Sequence, residues 1–494
     1  MSGIDNIPTR VPTDEMEDDD DDEEDDDEVT GADADEEEAY HKLTLKQVAA
    51  RACKHIDIGT AIMPKPLFTA DVEDYDGSEE LRDAAQSVET HYARVCRTEF
   101  NAIIVEHHMK WAPLCVAEPG PLLKEEPSDR LGRYDFHHSD SVVDWALSHG
   151  LIVKGHVLVW AASSPKFLKE MDAQEIRTQL KRHIFTTMAH YRGRIQVWDV
   201  VNEPLAPDGS LAENVFLRKL GPSYIEDAFR WAHEADPTAK LLLNENKVEG
   251  IGTTKSEKFY ELMTYLKKDK GVPIHGVGLQ AHFNAAGTGR QRPPTPWAVK
   301  QQIRRLGDLG LSVNISEMDV RVSKLPPNVR QIAQRQIYHD IVAAALSEPA
   351  LDGIWLWGFT DRHTWVTHFY YDDEPLIFDE DYGRKEAYYG LRDAISSLCP
   401  GGVVGGKSSF WKSDTDKEGN HWGHLWMAPE PDITTDGGAS GEARPDWQLE
   451  AEKEMDSGAM MDGEPVGVSY DVHGNIVLSK EENVTSSTYL PPIS

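Results

Sequence analysis

Short apolar runs alternate with longer amphipathic stretches between about Leu43 and Pro400. The runs have the length of buried strands, and the stretches between them have the apolar spacing of helices that pack on one face. We predict strands at Ile56–Ile62, Ala102–Val105, Leu151–Trp160, Ile195–Val201, Lys240–Asn244, Gly276–Phe283, Leu311–Ile315 and Asp352–Phe359. We predict helices at Leu81–Arg97, Phe136–Ser148, Ala173–His190, Tyr224–Ala235, Ser256–Lys267, Pro296–Leu309, Asn328–Leu346 and Lys385–Leu398.

This alternation identifies a fold class. Strand and helix repeated eight times within about 360 residues is the pattern of a (β/α)8 barrel. A doubly wound sheet also alternates strands and helices, but it does not need eight units. The predicted fold is therefore α/β, a (β/α)8 TIM barrel that forms a catalytic domain over residues 43–400. The long loop after the eighth strand carries the aromatic residues Trp365, Phe369, Tyr370 and Tyr371.

Acidic residues are concentrated outside the predicted barrel. Residues 14–38 contain 19 Asp and Glu and no Lys or Arg, and residues 401–494 have a net charge of −11. Without these two segments, the total net charge of −36 falls to −6. We expect a disordered acidic arm at residues 1–42 and a largely irregular, low-complexity acidic tail at residues 401–494. The tail is expected to be partly docked, through aromatics such as Trp411 and Trp426, or disordered.

Composition also narrows the range of partners. The acidic chain lacks the basic surface that nucleic-acid binding requires. Its four cysteines form no CxxC pair, so we expect no metal site and no cofactor. No run of 18 apolar residues and no apolar leader is present, which predicts no membrane segment and a cytoplasmic or non-classically exported protein. A monomer is expected.

Ionisable and aromatic residues occur where the predicted strands end. In a barrel these ends meet at one face, which holds the active site. The residues at these positions are Glu106, His156, Trp160, Asn202, Glu203, Gln280, His282, Glu317 and Trp357. Two carboxylates with tryptophans nearby can cleave a glycosidic bond. Taken alone, either Glu203 or Glu317 could equally be a helix cap or a surface charge beyond a strand.

The motifs around these residues resemble those of glycoside hydrolase family 10, the retaining endo-β-1,4-xylanases. Trp198–Glu203 is similar to the acid/base motif of the family, and Ile315–Asp319 is similar to its nucleophile motif. Further similar motifs, at the third, sixth and eighth strands, are Gly155–Trp160, Gly276–His282 and Trp357–Asp361 with Trp365. The resemblance covers about residues 45–398.

The resemblance implies a role for each matching residue. Glu203 would be the general acid and later the general base, and Glu317 the nucleophile. Asn202 would bind the hydroxyl next to the reacting carbon, and His282 would hold Glu317 ionised. The other substrate-binding residues would be Glu106, Lys110, His156, Trp160, Gln280, Trp357 and Trp365.

One departure bears on the substrate. His107 follows Glu106 where the family usually has Asn, a residue that helps to bind an outer glycone sugar. The expected function is retaining endo-hydrolysis of β-1,4-glycosidic bonds in xylan or a related β-glycan, with the polysaccharide or oligosaccharide substrate as partner. Two alternatives stay open: a barrel glycosidase for another β-glycan, and a catalytically silent glycan-binding or scaffold barrel with acidic interaction tails.

Overall fold

The computed structural model describes residues 42–52, 55–69, 89–115, 133–287, 293–370 and 372–397, together with the backbone of residues 467–470 and 476–479. The predicted docking of the C-terminal aromatics therefore lies outside the described residues, as do Tyr371 and the first part of the helix predicted at Leu81–Arg97. None of the helices in the described part of the chain combines the length and the apolar run that crossing a bilayer requires.

Parallel strands close into a barrel, which confirms the predicted fold. The strands of this sheet are β1 (Asp57–Ile62), β2 (Ala102–Val105), β3 (Ile152–Gly155), β4 (Val197–Asn202), β5 (Lys240–Glu245), β6 (Gly276–Leu279), β7 (His282–Asn284), β8 (Ser312–Arg321) and β9 (Leu351–Leu356). Strands β1 to β6 pair in sequence order, β6 pairs with β8, and β8 pairs with β9, which returns to β1. Short β7 pairs only with the end of β8.

Helices connect the strands on the outside of this sheet. Their bounds are α1 Leu45–Arg51, α2 Pro64–Phe68, α3 His91–Glu99, α4 Trp111–Leu114, α5 His137–Ser148, α6 Ala173–Tyr191, α7 Val215–Leu220, α8 Tyr224–Ala235, α9 Thr254–Thr264, α10 Pro296–Asp308, α11 Pro327–Leu346, α12 Val366–Phe369 and α13 Glu386–Ser396. Side-chain oxygens of Asp172, Thr253 and Thr295 accept backbone N–H groups in the first turns of α6, α9 and α10. These caps satisfy donors that a helix start would otherwise leave unpaired.

Three strands differ from prediction where the active-site residues lie. The predicted strand Leu151–Trp160 is interrupted after Gly155, and Leu158 and Val159 then pair again with β4 through backbone hydrogen bonds and an isolated parallel bridge. The predicted strand Gly276–Phe283 is two strands, because Ala281 has a left-handed φ of +66°. Strand β8 continues to Arg321, so Glu317 lies within a strand rather than beyond its end.

Outside the barrel, Gly467–Tyr470 and Ile476–Ser479 pair as antiparallel strands β10 and β11, which the sequence pattern did not predict.

Candidate active site

Glu317 is a buried carboxylate with two hydrogen-bonding partners. It is only 4% exposed. Its Oε2 lies 3.1 Å from His282 Nε2, and its Oε1 accepts a hydrogen bond from the Asn244 amide. Burial alone would raise the pKa of Glu317, but the hydrogen bond from His282 and the nearby imidazole charges outweigh it and hold the pKa below its ordinary value. The geometry therefore favours an ionised Glu317.

His282 is oriented from its other side by a buried acid. Its Nδ1 lies 2.8 Å from Asp319 Oδ2, which also accepts a hydrogen bond of 2.7 Å from Trp365 Nε1. Burial would lower the pKa of His282, but Asp319 and then Glu317 raise it well above its ordinary value. A protonated His282 donates from both ring nitrogens, one to Asp319 and one to Glu317.

Glu203 has neutral donors instead. Trp160 Nε1 donates to its Oε2 at 2.9 Å, and Gln280 Nε2 donates to its Oε1 at 2.9 Å. The backbone of Glu203 is left-handed, with a φ of +53°, and its N–H donates to the carbonyl oxygen of Asn244 at 2.9 Å. Because β4 ends at Asn202, this turn lifts the Glu203 side chain out of the sheet at the carboxyl end of the barrel.

A chain of amide groups connects the two carboxylates. The Oδ1 of Asn202 accepts from Gln280 Nε2 at 3.2 Å and from Asn244 Nδ2 at 2.8 Å. Asn244 also donates to Glu317, and its own Oδ1 accepts from Ser316 Oγ at 2.6 Å. Since both contacts use the oxygen of Asn202, its NH2 group is the part of that side chain left to donate to a sugar hydroxyl.

Gly278 makes room for this amide chain. A Cβ on Gly278 would lie 2.0 Å from Asn244 Oδ1 and 2.9 Å from Ser316 Oγ. Any side chain at Gly278 would therefore displace Asn244, and with it the donor shared by Asn202 and Glu317.

A lysine and a third glutamate lie beside the two carboxylates. Lys110 is 7% exposed, and its Nζ lies 4.8 Å from the ring centre of Trp160 and 5.4 Å from that of Trp357. Burial lowers the pKa of Lys110 although Glu106, Glu317 and Glu203 act against it. Burial raises the pKa of Glu106 to about 7 in spite of Lys110. Burial thus disfavours the charged form of both groups, and the opposite charge of each partner favours it.

His156 and the tryptophans complete the wall. His156 is 1% exposed, with its Nδ1 2.9 Å from Asp199 Oδ2, and its ring meets that of Trp357 edge-on at 5.1 Å. Trp365 lies against His282 at 4.9 Å between ring centres. Flat aromatic rings of this kind present the faces on which apolar sugar surfaces stack.

The structure brings together every residue that the sequence singled out for the site. Hydrogen bonds, ring contacts or electrostatic contacts connect Glu106, Lys110, His156, Trp160, Asn202, Glu203, Gln280, His282, Glu317, Trp357 and Trp365 in one network.

Sequence reasoning missed three buried polar residues in this network. They are Asp199, Asn244 and Asp319, which orient His156, the amide chain and His282 respectively. Asp319 had a detectable signal, because it lies two positions after Glu317 and so on the same face of the strand. Asn244 lay at the end of the predicted fifth strand, the position that identified the other candidates.

Comparisons with known proteins agree with this geometry. The family model "Glycosyl hydrolase family 10" matches residues 75–394. The endo-1,4-beta-xylanase B of Thermotoga neapolitana is 35% identical over 309 residues, which are 62% of this chain and 83% of that protein. The beta-1,4-xylanase of Dictyoglomus thermophilum is also 35% identical, over 61% of this chain and 84% of that protein. The structure of xylanase 10B from Thermotoga petrophila RKU-1 in complex with xylobiose matches with a TM-score of 0.61 and 32% identity, covering 72% of this chain and 98% of that one.

Proposed function

This chain belongs to glycosyl hydrolase family 10, and on that premise we propose that it hydrolyses the β-1,4 bonds of xylan within the chain, with retention of configuration, using Glu317 as nucleophile and Glu203 as acid and base. The substrate is a polysaccharide or oligosaccharide. We assign the activity to residues 43–400.

The observation that carries this assignment is the difference between the two carboxylates. Glu317 is hydrogen-bonded to a histidine whose pKa is raised well above its ordinary value, whereas the oxygens of Glu203 accept hydrogen bonds from the neutral N–H groups of Trp160 and Gln280. An attacking carboxylate must be ionised, and a proton donor must be able to hold and release a proton. The environments support opposite roles for the two groups.

In the first step, an oxygen of Glu317 attacks the anomeric carbon. The bond from that carbon to the leaving oxygen breaks, and the proton of Glu203 moves to the departing oxygen. Asn202 donates from its NH2 to the hydroxyl beside the reacting carbon. His282, which is bound to Asp319, keeps its hydrogen bond on the Glu317 oxygen that does not attack.

In the second step, Glu203 takes a proton from water as the water oxygen attacks the same carbon. The bond to Glu317 breaks, and Glu317 returns to its hydrogen bonds with His282 and Asn244. Two displacements at one carbon restore the original anomeric configuration. Trp160, Trp357 and Trp365 hold the sugar rings, while Glu106, Lys110 and His156 bind their hydroxyls.

Side-by-side hydrolysis of four polysaccharides tests this function. We expect the purified protein to release reducing sugars from xylan faster than from mixed-linkage β-glucan, mannan or carboxymethylcellulose. NMR of the first-formed product should show the β anomer. Faster release from mannan or β-glucan would transfer the assignment to another β-glycan, and no release from any of the four would favour a silent glycan-binding barrel.

A further inference from the structure

The backbone that presents Glu203 is held by two successive residues of β5. Glu203 has a left-handed φ, which residues with a side chain rarely adopt unless their surroundings impose it. Its N–H donates to the carbonyl oxygen of Asn244. Two residues further on, the N–H of Leu205 donates to the carboxylate of Glu245 at 3.0 Å. The turn is thus held by one hydrogen bond at Glu203 itself and by another two residues later, at Leu205.

Glu245 is in turn held by a buried lysine. Glu245 is fully buried and Lys255 is 3% exposed. One carboxylate oxygen, Oε2, accepts Leu205 N–H, while the other, Oε1, accepts Lys255 Nζ at 2.9 Å and Asn246 N–H at 2.9 Å. Lys255 also donates to Asn246 Oδ1 at 2.8 Å. Every oxygen of this carboxylate is therefore engaged, and its charge is matched by a cation that water does not reach.

The electrostatics couple this pair to the site. Burial raises the pKa of Glu245 to about 7, Lys255 acts to lower it, and the charge of Glu203 raises it again. A negative charge on Glu203 therefore favours the protonated form of Glu245, and the ion pair with Lys255 opposes that effect.

We propose that Glu245 and Lys255 form a positioning pair that fixes the Glu203–Leu205 turn, so that the Glu203 carboxyl stands where it can transfer a proton to the leaving oxygen. Neither residue touches substrate. The proposal rests on the assignment of Glu203 as the acid and base. Because Glu317 lies on β8 and is held by His282, to which neither member of the pair is hydrogen-bonded, the pair acts on proton transfer and not on nucleophilic attack.

The variant Glu245→Gln separates these two effects. Glutamine has one acceptor oxygen, so it cannot accept from both Leu205 N–H and Lys255 as the carboxylate does. The measurement is kcat/KM for two aryl β-xylobiosides, dinitrophenyl and phenyl. Dinitrophenolate leaves without a proton, whereas the phenyl group requires one. We expect kcat/KM to fall about 10- to 100-fold for the phenyl substrate and to stay within about threefold for the dinitrophenyl substrate.

A second variant and a matched control keep the test decisive. Lys255→Met removes the cation and should give the same selective loss. It provides the test if Glu245→Gln does not fold. The control is Glu99→Gln. Glu99, 5% exposed, likewise accepts a backbone N–H, that of Leu45 at 2.9 Å, and is paired with a cation, Arg384 at 2.7 Å. It is the last residue of α3, however, and so lies before the start of β2 and not at the carboxyl end of a strand. Its variant should lower Tm without changing the ratio of the two kcat/KM values.

Equal losses on both substrates in Glu245→Gln and in Lys255→Met would show that the pair is merely structural, and would overturn the inference. Glu203→Ala is measured beside them. If that variant shows no dependence on the leaving group, the acid assignment itself fails, and this result is distinct from failure of the positioning pair alone.

Discussion

Replacing His282 by Ala tests how the nucleophile is kept ionised. The change removes the hydrogen bond to Glu317 Oε2 and the imidazole charge, while Glu317 stays buried. Burial is the largest influence on this carboxyl and favours its protonated form, so the pKa of Glu317 should rise once its main opposing contact is gone. The ionised fraction of the nucleophile then falls at the acid side of the pH profile.

The size of the loss follows from the contact removed. A hydrogen bond to a charged group contributes about 1.5–3 kcal/mol, which corresponds to roughly 10- to 150-fold in kcat/KM. The loss should be largest at low pH and shrink as pH rises, because alkali restores the ionised carboxylate. His282→Gln keeps a neutral donor and should lose less than His282→Ala.

The assay is the pH dependence of kcat/KM for dinitrophenyl β-xylobioside, a substrate that does not require the acid. His149→Ala, at an exposed histidine outside the site, is the control and should reproduce the parent profile. A loss of the same factor at every pH would refute the reasoning, since His282 would then orient the carboxylate without affecting its protonation.

Three further predictions concern the surroundings of the two carboxylates. Asn244→Asp places a second buried acid against Glu317 and removes the donor to Asn202. The kcat/KM value should therefore fall about tenfold or more on every substrate, and it should fall less in Asn244→Ala. An Asn244→Asp variant with the kcat/KM of the parent protein would contradict this. His107, whose pKa burial holds well below its ordinary value, is a neutral ring, and His107→Asn should lower KM for unsubstituted xylo-oligosaccharides; an unchanged or higher KM would mean that His107 matches another sugar or a branched chain. Deleting residues 1–40, half of which are Asp or Glu, should leave kcat and KM on xylan unchanged, whereas a folded but inactive product would show a role for that segment in catalysis.

The barrel was predictable because its strands are short apolar runs of the right length and number. Their ends were less predictable. The interruption of the strand after Gly155 and the left-handed Ala281 after β6 are backbone features that appear only in the assembled barrel. A run of apolar residues such as Val157–Val159 has strand character by itself, and only the backbone hydrogen bonds of the assembled barrel show that it is separated from β3 and pairs again with β4.

The site shows the same division. Residues such as Glu203 and His282 can be found from the sequence alone, because they lie at the ends of predicted strands. Glu245 acts through Leu205, which is 40 residues away in sequence, and its importance appears only when β4 and β5 are side by side. Asp319 was within reach of sequence reasoning, since strand alternation places it beside Glu317.

The most direct test of the account is where a trapped sugar becomes attached. Glu203→Ala should still form a glycosyl-enzyme with an activated 2-fluoro β-xylobioside, because that leaving group needs no acid, and the intermediate should persist because its hydrolysis lacks a base. Peptide mass spectrometry of the protease-digested protein should then place one 2-fluoroxylobiosyl group on Glu317. A label on any other residue would contradict the nucleophile assignment and, with it, the division of roles between Glu317 and Glu203.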